Sequence, residues 1–270
     1  MDNLKFFLGI GVAVMIVFAG VSVYISLQKD AAINDGRDTL YQISTIDALM
    51  LGVFDGVQPI KKLRTHGDFG IGTFEALDGE MIVIDGVVYQ AKADGSISTA
   101  DDSQMTPFAT VTYFSKDTTA ITSAPMNFST FTSVMETQLP TGNMIYAVRM
   151  HGTFPSMKVR AIPAQEEPYP TLSEAAKNQS VYTYTDTTGT IVGFYTPVFF
   201  KSVNVPGYHL HYLSDDHETG GHILDVTVPS ATTVEYDITP GFAMVLPTSG
   251  DFTGIDLSQD LTEELAKVER

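Results

Sequence analysis

With 270 residues the chain is long enough for one large or two modest domains with a real core. It has no cysteine, which excludes a disulfide framework and any thiolate metal site, and it has no tryptophan. Its formal net charge is −17, from 15 basic and 32 acidic residues, and Lys61-Lys62 is the only adjacent basic pair, which excludes a nucleic-acid-binding face.

Phe6–Leu27 (FFLGIGVAVMIVFAGVSVYISL) carries no charge. As a helix it would measure about 33 Å at ~1.5 Å per residue, matching a hydrocarbon core of ~30 Å. Residues 1–28 therefore read as a membrane anchor. Gly20-Val21-Ser22 offers the small residues of a signal-peptidase site, so a cleaved signal is the alternative. Either reading places the rest of the chain outside the cytoplasm. Residues 29–43 are polar and aperiodic and read as a linker.

Ser44 to Asp47 can cap a short helix that ends at Gly52. From Phe69 the texture changes to strands: FGIGTFEAL, MIVIDGVVYQA and FATVTYF are alternating, β-branched or aromatic. Asp-Gly pairs at 78–79, 85–86 and 94–95 punctuate this region, a strong hairpin signal. Asn127 to Leu139 predicts a helix that stops before Pro140. NMIYAVRMHGTF and SMKVRAIPA predict a second hairpin, and Leu172 to Lys177 one or two helical turns. TIVGFYTPVFF, GYHLHYL, GHILDVTV, TTVEYDI and FAMVLPT are strand-like, and the tail DLSQDLTEELAKVER is a short amphipathic helix. The expected fold is α+β and mostly β: two mixed or antiparallel sheet domains with a few short helices, divided as 44–155 and 156–270.

Four of the 6 histidines fall in GYHLHYLSDDHETGGH, residues 207–222. On a strand, side chains alternate faces, so His209 and His211 share one face and Tyr208, Leu210 and Tyr212 the other. Folding GHILDVTV back as a hairpin sets His222 beside His211. Three imidazoles then converge at the spacing a metal ion requires, with positions left open as in catalytic sites. The plain alternative is a set of surface histidines on a hairpin. His217 sits among Asp215, Asp216 and Glu218 and reads as solvated; His66 and His151 each adjoin a glycine and read as turn residues. His-x-His followed by a glutamate also marks the cupins, a metal-dependent oxygenase or isomerase alternative. Here the required offsets hold Ser214, Asp215 and Asp216, and Glu218 comes too late.

THGDFGIGTFEALDGEMIVIDGVVYQ (65–90), VRAIPAQEEPYP (159–170), GTIVGFYTP (189–197) and GYHLHYL…GGHILD (207–225) together resemble the α-acetolactate decarboxylases. The resemblance runs from about residue 40 to the C-terminus. It implies a two-domain fold that forms a homodimer and converts 2-acetolactate to acetoin and CO2. It implies zinc on His209, His211 and His222, with no organic cofactor. Glu80 in LDGE corresponds to the family's acid/base carboxylate, Arg160 in KVRAIP to its active-site arginine, and Thr73 in GIGTF to a pocket residue. Glu269 corresponds to a carboxylate the family brings from its tail, with Glu263 and Glu264 as rivals.

Taken alone, these residues say less. Glu80 follows a turn and reads equally as a solvated carboxylate. Arg160 lies on a strand with Val159 and Ile162, so it needs an anionic partner, either Asp225 or a substrate carboxylate. Gly67, Gly70 and Gly72 lie within strand-like sequence and not before a helix, so they form no dinucleotide or phosphate loop. A membrane-tethered, non-catalytic metal-binding domain would suit the anchor and the acidity. It leaves the co-occurrence of Glu80, Arg160 and the histidines unexplained.

Overall fold

The computed structural model describes residues 36–269. Phe6–Leu27, expected to enter a membrane, lies outside the described residues; among those described, no helix is long and apolar enough to cross one.

Strands dominate. In chain order they are β1 (Thr39–Ile43), β2 (Gln58–Pro59), β3 (Phe69–Thr73), β4 (Glu80–Ile84), β5 (Val87–Ala91), β6 (Ile97–Thr99), β7 (Met105–Thr106) and β8 (Ala109–Thr112). There follow β9 (Thr118–Ile121), β10 (Ile145–Ala161), β11 (Ser180–Thr196), β12 (Gly207–Ser214), β13 (Gly220–Thr227), β14 (Thr233–Thr239) and β15 (Gly241–Val245). One sheet has seven strands in the order β15-β1-β8-β3-β4-β5-β6, antiparallel except for the parallel pair β1 and β15. The second runs β11-β12-β13-β10-β14-β9, and β10 also pairs with β11, so β10 to β13 close into a ring. This is the mostly β, two-sheet architecture the sequence predicts.

Local chemistry explains the parts that follow expectation. Asp85 and Gly86 both hold positive φ, 49° and 78°, forming the two-residue turn that suits the twist of β4 and β5. Thr45 caps the helix Ile46–Met50, its side chain accepting from Ala48 N. Asn127 likewise caps Phe128–Gln138 by accepting from Thr130 N at 2.9 Å.

Three expectations are corrected. Residues 143–164 form no hairpin; β10 runs unbroken for 17 residues and pairs along its length with β11. Gly152 and Pro155 suggest a turn, but Pro155 falls between the end of the β14 pairing at Met150 and the start of the β13 pairing at Ser156. A residue without an N–H is tolerated in such a gap. The division at 155–156 therefore falls inside a strand, and the two sheets exchange material: β15 completes the first, β9 the second. Finally, the stretch read as a linker to residue 43 contains β1, with Leu40 and Ile43 fully buried. Gln42, a polar residue within β1, is a buried amide that donates to Ser44 O and Val203 O.

The core between the sheets joins Leu40, Phe69, Ile71 and Ile82 from one to Ala147, Val192, Phe194 and Leu213 from the other. Helix Phe128–Gln138 covers the far face of the second sheet, where Phe131 and Met135 meet Leu210 and Tyr212. A separate apolar cluster gathers the helices Ile46–Met50, Leu172–Ala175 and Thr262–Val268 around Phe108 and Ile162.

Candidate metal centre and active site

Because Tyr208, Leu210 and Tyr212 take the face of β12 under the long helix, His209 and His211 face the first sheet. His222 lies directly opposite His211 in the β12–β13 register. One nitrogen from each of the three rings lies within 4.8 Å of the others, and all three rings are buried. Gly221 (φ +143°) lets β13 come this close to β10, since a Cβ there would meet Arg160 O at 2.5 Å. Across that same contact Arg160 on β10 is paired with His222.

The strands also bring the carboxylates in. Glu80 opens β4 opposite Thr73, and its Oε2 stands 3.7 Å from His211 Nε2. Glu269, just after the helix Thr262–Val268, places Oε2 3.6 Å from His209 Nε2 and 3.7 Å from His222 Nε2. Its other oxygen lies 3.6 Å from Arg160 Nη2. Arg160 Nη1 donates to Gln179 Oε1 at 3.3 Å. Thr73 borders the pocket, but its hydroxyl donates to Gly79 O at 2.7 Å and so serves the backbone. Leu49, Leu77, Phe108, Ile162 and Leu172 complete the wall around a void of about 30 Å³.

Burial sets the charge states. It pushes Glu80 up to about 7, against the pull of Arg160, with Glu269 adding to the rise. Burial also lifts Glu269 to about 6, again opposed by Arg160. Burial, then Arg160, depresses His209 to about 3, and burial holds His211 and His222 well below the usual imidazole range. The imidazoles are therefore neutral at pH 7, the state in which they bind a metal.

The donor set fits a divalent ion. His211 Nε2, His222 Nε2 and Glu269 Oε2 are buried without a hydrogen-bond partner, a cost that a ligand at this point would relieve, while His209 Nε2 lies 3.2 Å from His222 Nδ1. His211 Nδ1 lies 2.9 Å from Met81 O, so it carries the proton and leaves Nε2 with a free lone pair. Nitrogen and oxygen donors without sulfur suit zinc and other first-row divalent ions.

The remaining residues sort themselves out by position. His217 is exposed. His66 does lie past a short helix, stacked on Tyr41 at 3.7 Å. His151 is corrected: it is no turn residue but part of β10, where it pairs with Asp215 at 3.1 Å. Asp225 accepts from Phe128 N, so Arg160's carboxylate neighbour is Glu269 instead. Glu263 and Glu264 point to solvent. Sequence reasoning missed Gln179 and the Met81 carbonyl, and no pattern in the sequence marks either.

A family model for alpha-acetolactate decarboxylase matches residues 40–259. The alpha-acetolactate decarboxylase of Methanosarcina mazei is 48% identical over 237 residues, 88% of this chain and 82% of that protein. That of Bacillus subtilis is 34% identical over 243 residues, 90% of this chain and 93% of that one. The crystal structure of alpha-acetolactate decarboxylase from Bacillus subtilis strain 168 superposes with a TM-score of 0.82 at 34% identity, covering 86% of this chain and 99% of that chain. These likenesses define an enzyme of the carboxy-lyase class. The chain belongs to the alpha-acetolactate decarboxylase family. The family match ends short of Glu269, whose place at the site is read from the structure.

Proposed function

We propose that the enzyme converts 2-acetolactate to acetoin and CO2, using one divalent metal, zinc, held by His209, His211 and His222. The observation that carries this is the group of three buried, neutral imidazoles whose nitrogens converge, flanked by Arg160, Glu80 and Glu269. Bound there, the metal would supply Lewis acidity to the substrate's oxygens.

The chain's own residues do the rest. Arg160, held by Gln179 and Glu269, presents a fixed guanidinium to the oxyanion that forms as the bond to the carboxylate breaks. That bond's electron pair passes into the ketone, giving an enediolate, so no organic electron sink is required. Glu80, at about 7, retains a substantial protonated fraction at neutral pH and delivers a proton to the carbon that has lost CO2. Because Glu80 approaches from β4, one face of the enediolate is protonated and the acetoin is chiral. Leu49, Phe108 and Leu172 accept the substrate's methyl groups and keep water out.

Incubating the metal-loaded chain with racemic 2-acetolactate should yield acetoin, with none from chelator-stripped protein. No acetoin above the stripped control would overturn the reading. The uncharged run Phe6–Leu27 supports a body held outside the cytoplasm and retained at the membrane. The intact mass of native protein decides between retained and cleaved forms, and a soluble, uncleaved cytoplasmic product would refute export.

A further inference from the structure

The carbonyls of the two residues before Glu80 are each held by a buried side chain. Thr73 donates its hydroxyl to Gly79 O at 2.7 Å, and Gln90 donates its amide to Asp78 O at 2.5 Å. The same Gln90 nitrogen donates to Asp78 Oδ2 at 3.1 Å, while Gln90 Oε1 accepts from Gln104 Nε2 at 3.0 Å. Both amide hydrogens and the amide oxygen are thus engaged, and because Asp78 offers only acceptors there, the amide can face only this way. Gln90 is 2% exposed on β5 and lies outside the active-site pocket. Its partner on β4 is Met81, so its side chain takes the face opposite to that of Glu80.

The turn before Glu80 has a physical need for such a clamp. Ala76 and Leu77 hold left-handed φ, 59° and 58°, without being glycine, and Gly79 follows at 87°. Backbone of this kind persists only where its surroundings over-determine it. Leu77 on this turn is part of the pocket wall. Backbone ties run from Ala76 N to Phe54 O and from Gly79 N to Ile162 O. A Cβ on Gly79 would meet Ala91 O at 2.4 Å, so the turn lies hard against β5. The Asp78 carboxylate also has Lys92 Nζ at 2.7 Å, so the contribution particular to Gln90 is the donor to Asp78 O.

We infer that Gln90 is a positioning residue for the protonation step: by holding Asp78 O it sets the start of β4, and with it the place of the Glu80 carboxyl beside His211. The inference rests on reading Glu80 as the proton donor. Gln90 touches neither substrate nor metal ligand and acts through the turn. Its leverage comes from geometry, since a misplacement of roughly 1 Å at a reacting group can cost about 100-fold in rate.

The test is a double-mutant cycle of Gln90→Met and Glu80→Gln in the full-length, metal-loaded enzyme with racemic 2-acetolactate. Methionine keeps the length of glutamine and lacks the donor. Gln90→Met alone should keep its metal and a KM near the parent value, while kcat falls by about 10–100-fold. The enantiomeric excess of the acetoin should fall with it, because water then reaches either face of the enediolate. On top of Glu80→Gln the same change should cost almost nothing further, since the group it positions no longer donates. A merely structural role costs the same in both backgrounds and leaves the enantiomeric excess alone. That result, or parent kcat in Gln90→Met, overturns the inference and spares Glu80 as donor. Full turnover with unchanged chirality in Glu80→Gln overturns the donor reading and the positioning role with it. Should Gln90→Met lose its metal or fail to fold, Gln104→Met decides. Gln104 is half-buried, and its loss frees the Gln90 amide to turn, so kcat and enantiomeric excess should both fall. Parent values for both overturn the inference.

Discussion

His211 and Glu269 border the same pocket but are held there in different ways. His211 lies mid-strand, paired on one side with Val192 and on the other with His222, with its ring fixed by the Met81 carbonyl. Glu80 and Arg160 are equally locked by pairing on β4 and β10. Glu269 arrives on the end of a seven-residue helix that joins no sheet, and only Leu265 and Val268 bury that helix, against its neighbours. The strand-borne groups can shift only if sheets come apart, whereas the tail-borne carboxylate can leave by breaking one small apolar contact and its ion pair with Arg160. Metal retention should therefore depend on the strands, and turnover on both.

The sharpest way to break this contrast is His211→Ala. It should abolish metal binding and acetoin formation together, measured by metal analysis and by assay. Next, Glu80→Gln should keep the metal while turnover falls by about 10²–10⁴-fold, the range for a lost general acid. Full turnover with unchanged product chirality would move the proton donor elsewhere, with Glu269 the next to test. Leu265→Asp places a charge in the tail's buried contact. It should lower turnover by about 10–100-fold, as loss of groups that orient a metal site does, with metal content and melting temperature nearly unchanged. Loss of metal in this variant would erase the distinction between the two halves.

A smaller effect concerns stability of the metal-stripped protein. The three buried histidines bind protons in the unfolded chain but not in the folded one, so their contribution is present above about 6.5 and is lost as the pH falls. Glu80 works the other way: with a folded value of about 7 against an ordinary 4.5, it costs stability as the pH rises between them. Glu80→Gln should therefore raise the melting temperature at pH 7, and the gain should vanish towards pH 4.5. Smallest of all is His217→Ala, at an exposed position in the β12–β13 loop. Metal content and turnover should both stay within error of the parent enzyme.

What the sequence could show followed from short-range physics. Period-two spacing and a glycine-paired loop put His209, His211 and His222 together before any coordinates, since strand alternation and hairpin return are local rules. Asp85-Gly86 and the Asn127 cap were legible for the same reason. The uninterrupted β10 was not, because whether Pro155 breaks a strand depends on where β13 and β14 stop, which is a matter of distant pairing. β1 was hidden by Gln42, whose amide is satisfied by Val203 O from far along the chain. Gln179 likewise meets Arg160 only because β10 and β11 bring the ends of their connection together. Glu269 was one of three rival carboxylates until the helix's buried side, set by Leu265 and Val268, turned Glu263 and Glu264 outward.

The parallel pairing of β1 with β15 has a consequence for biosynthesis. β1 is the first strand of the body to be made, yet Gln42 and Met244, opposite each other in that pair, are 202 residues apart. Until β15 is translated, β1 offers an unpaired edge to any passing strand, and loop closure over so long a span is slow. A nascent chain therefore passes through a vulnerable interval that ends only when nearly all of it has been synthesised. Chaperone demand and misassembly during production should concentrate in that interval.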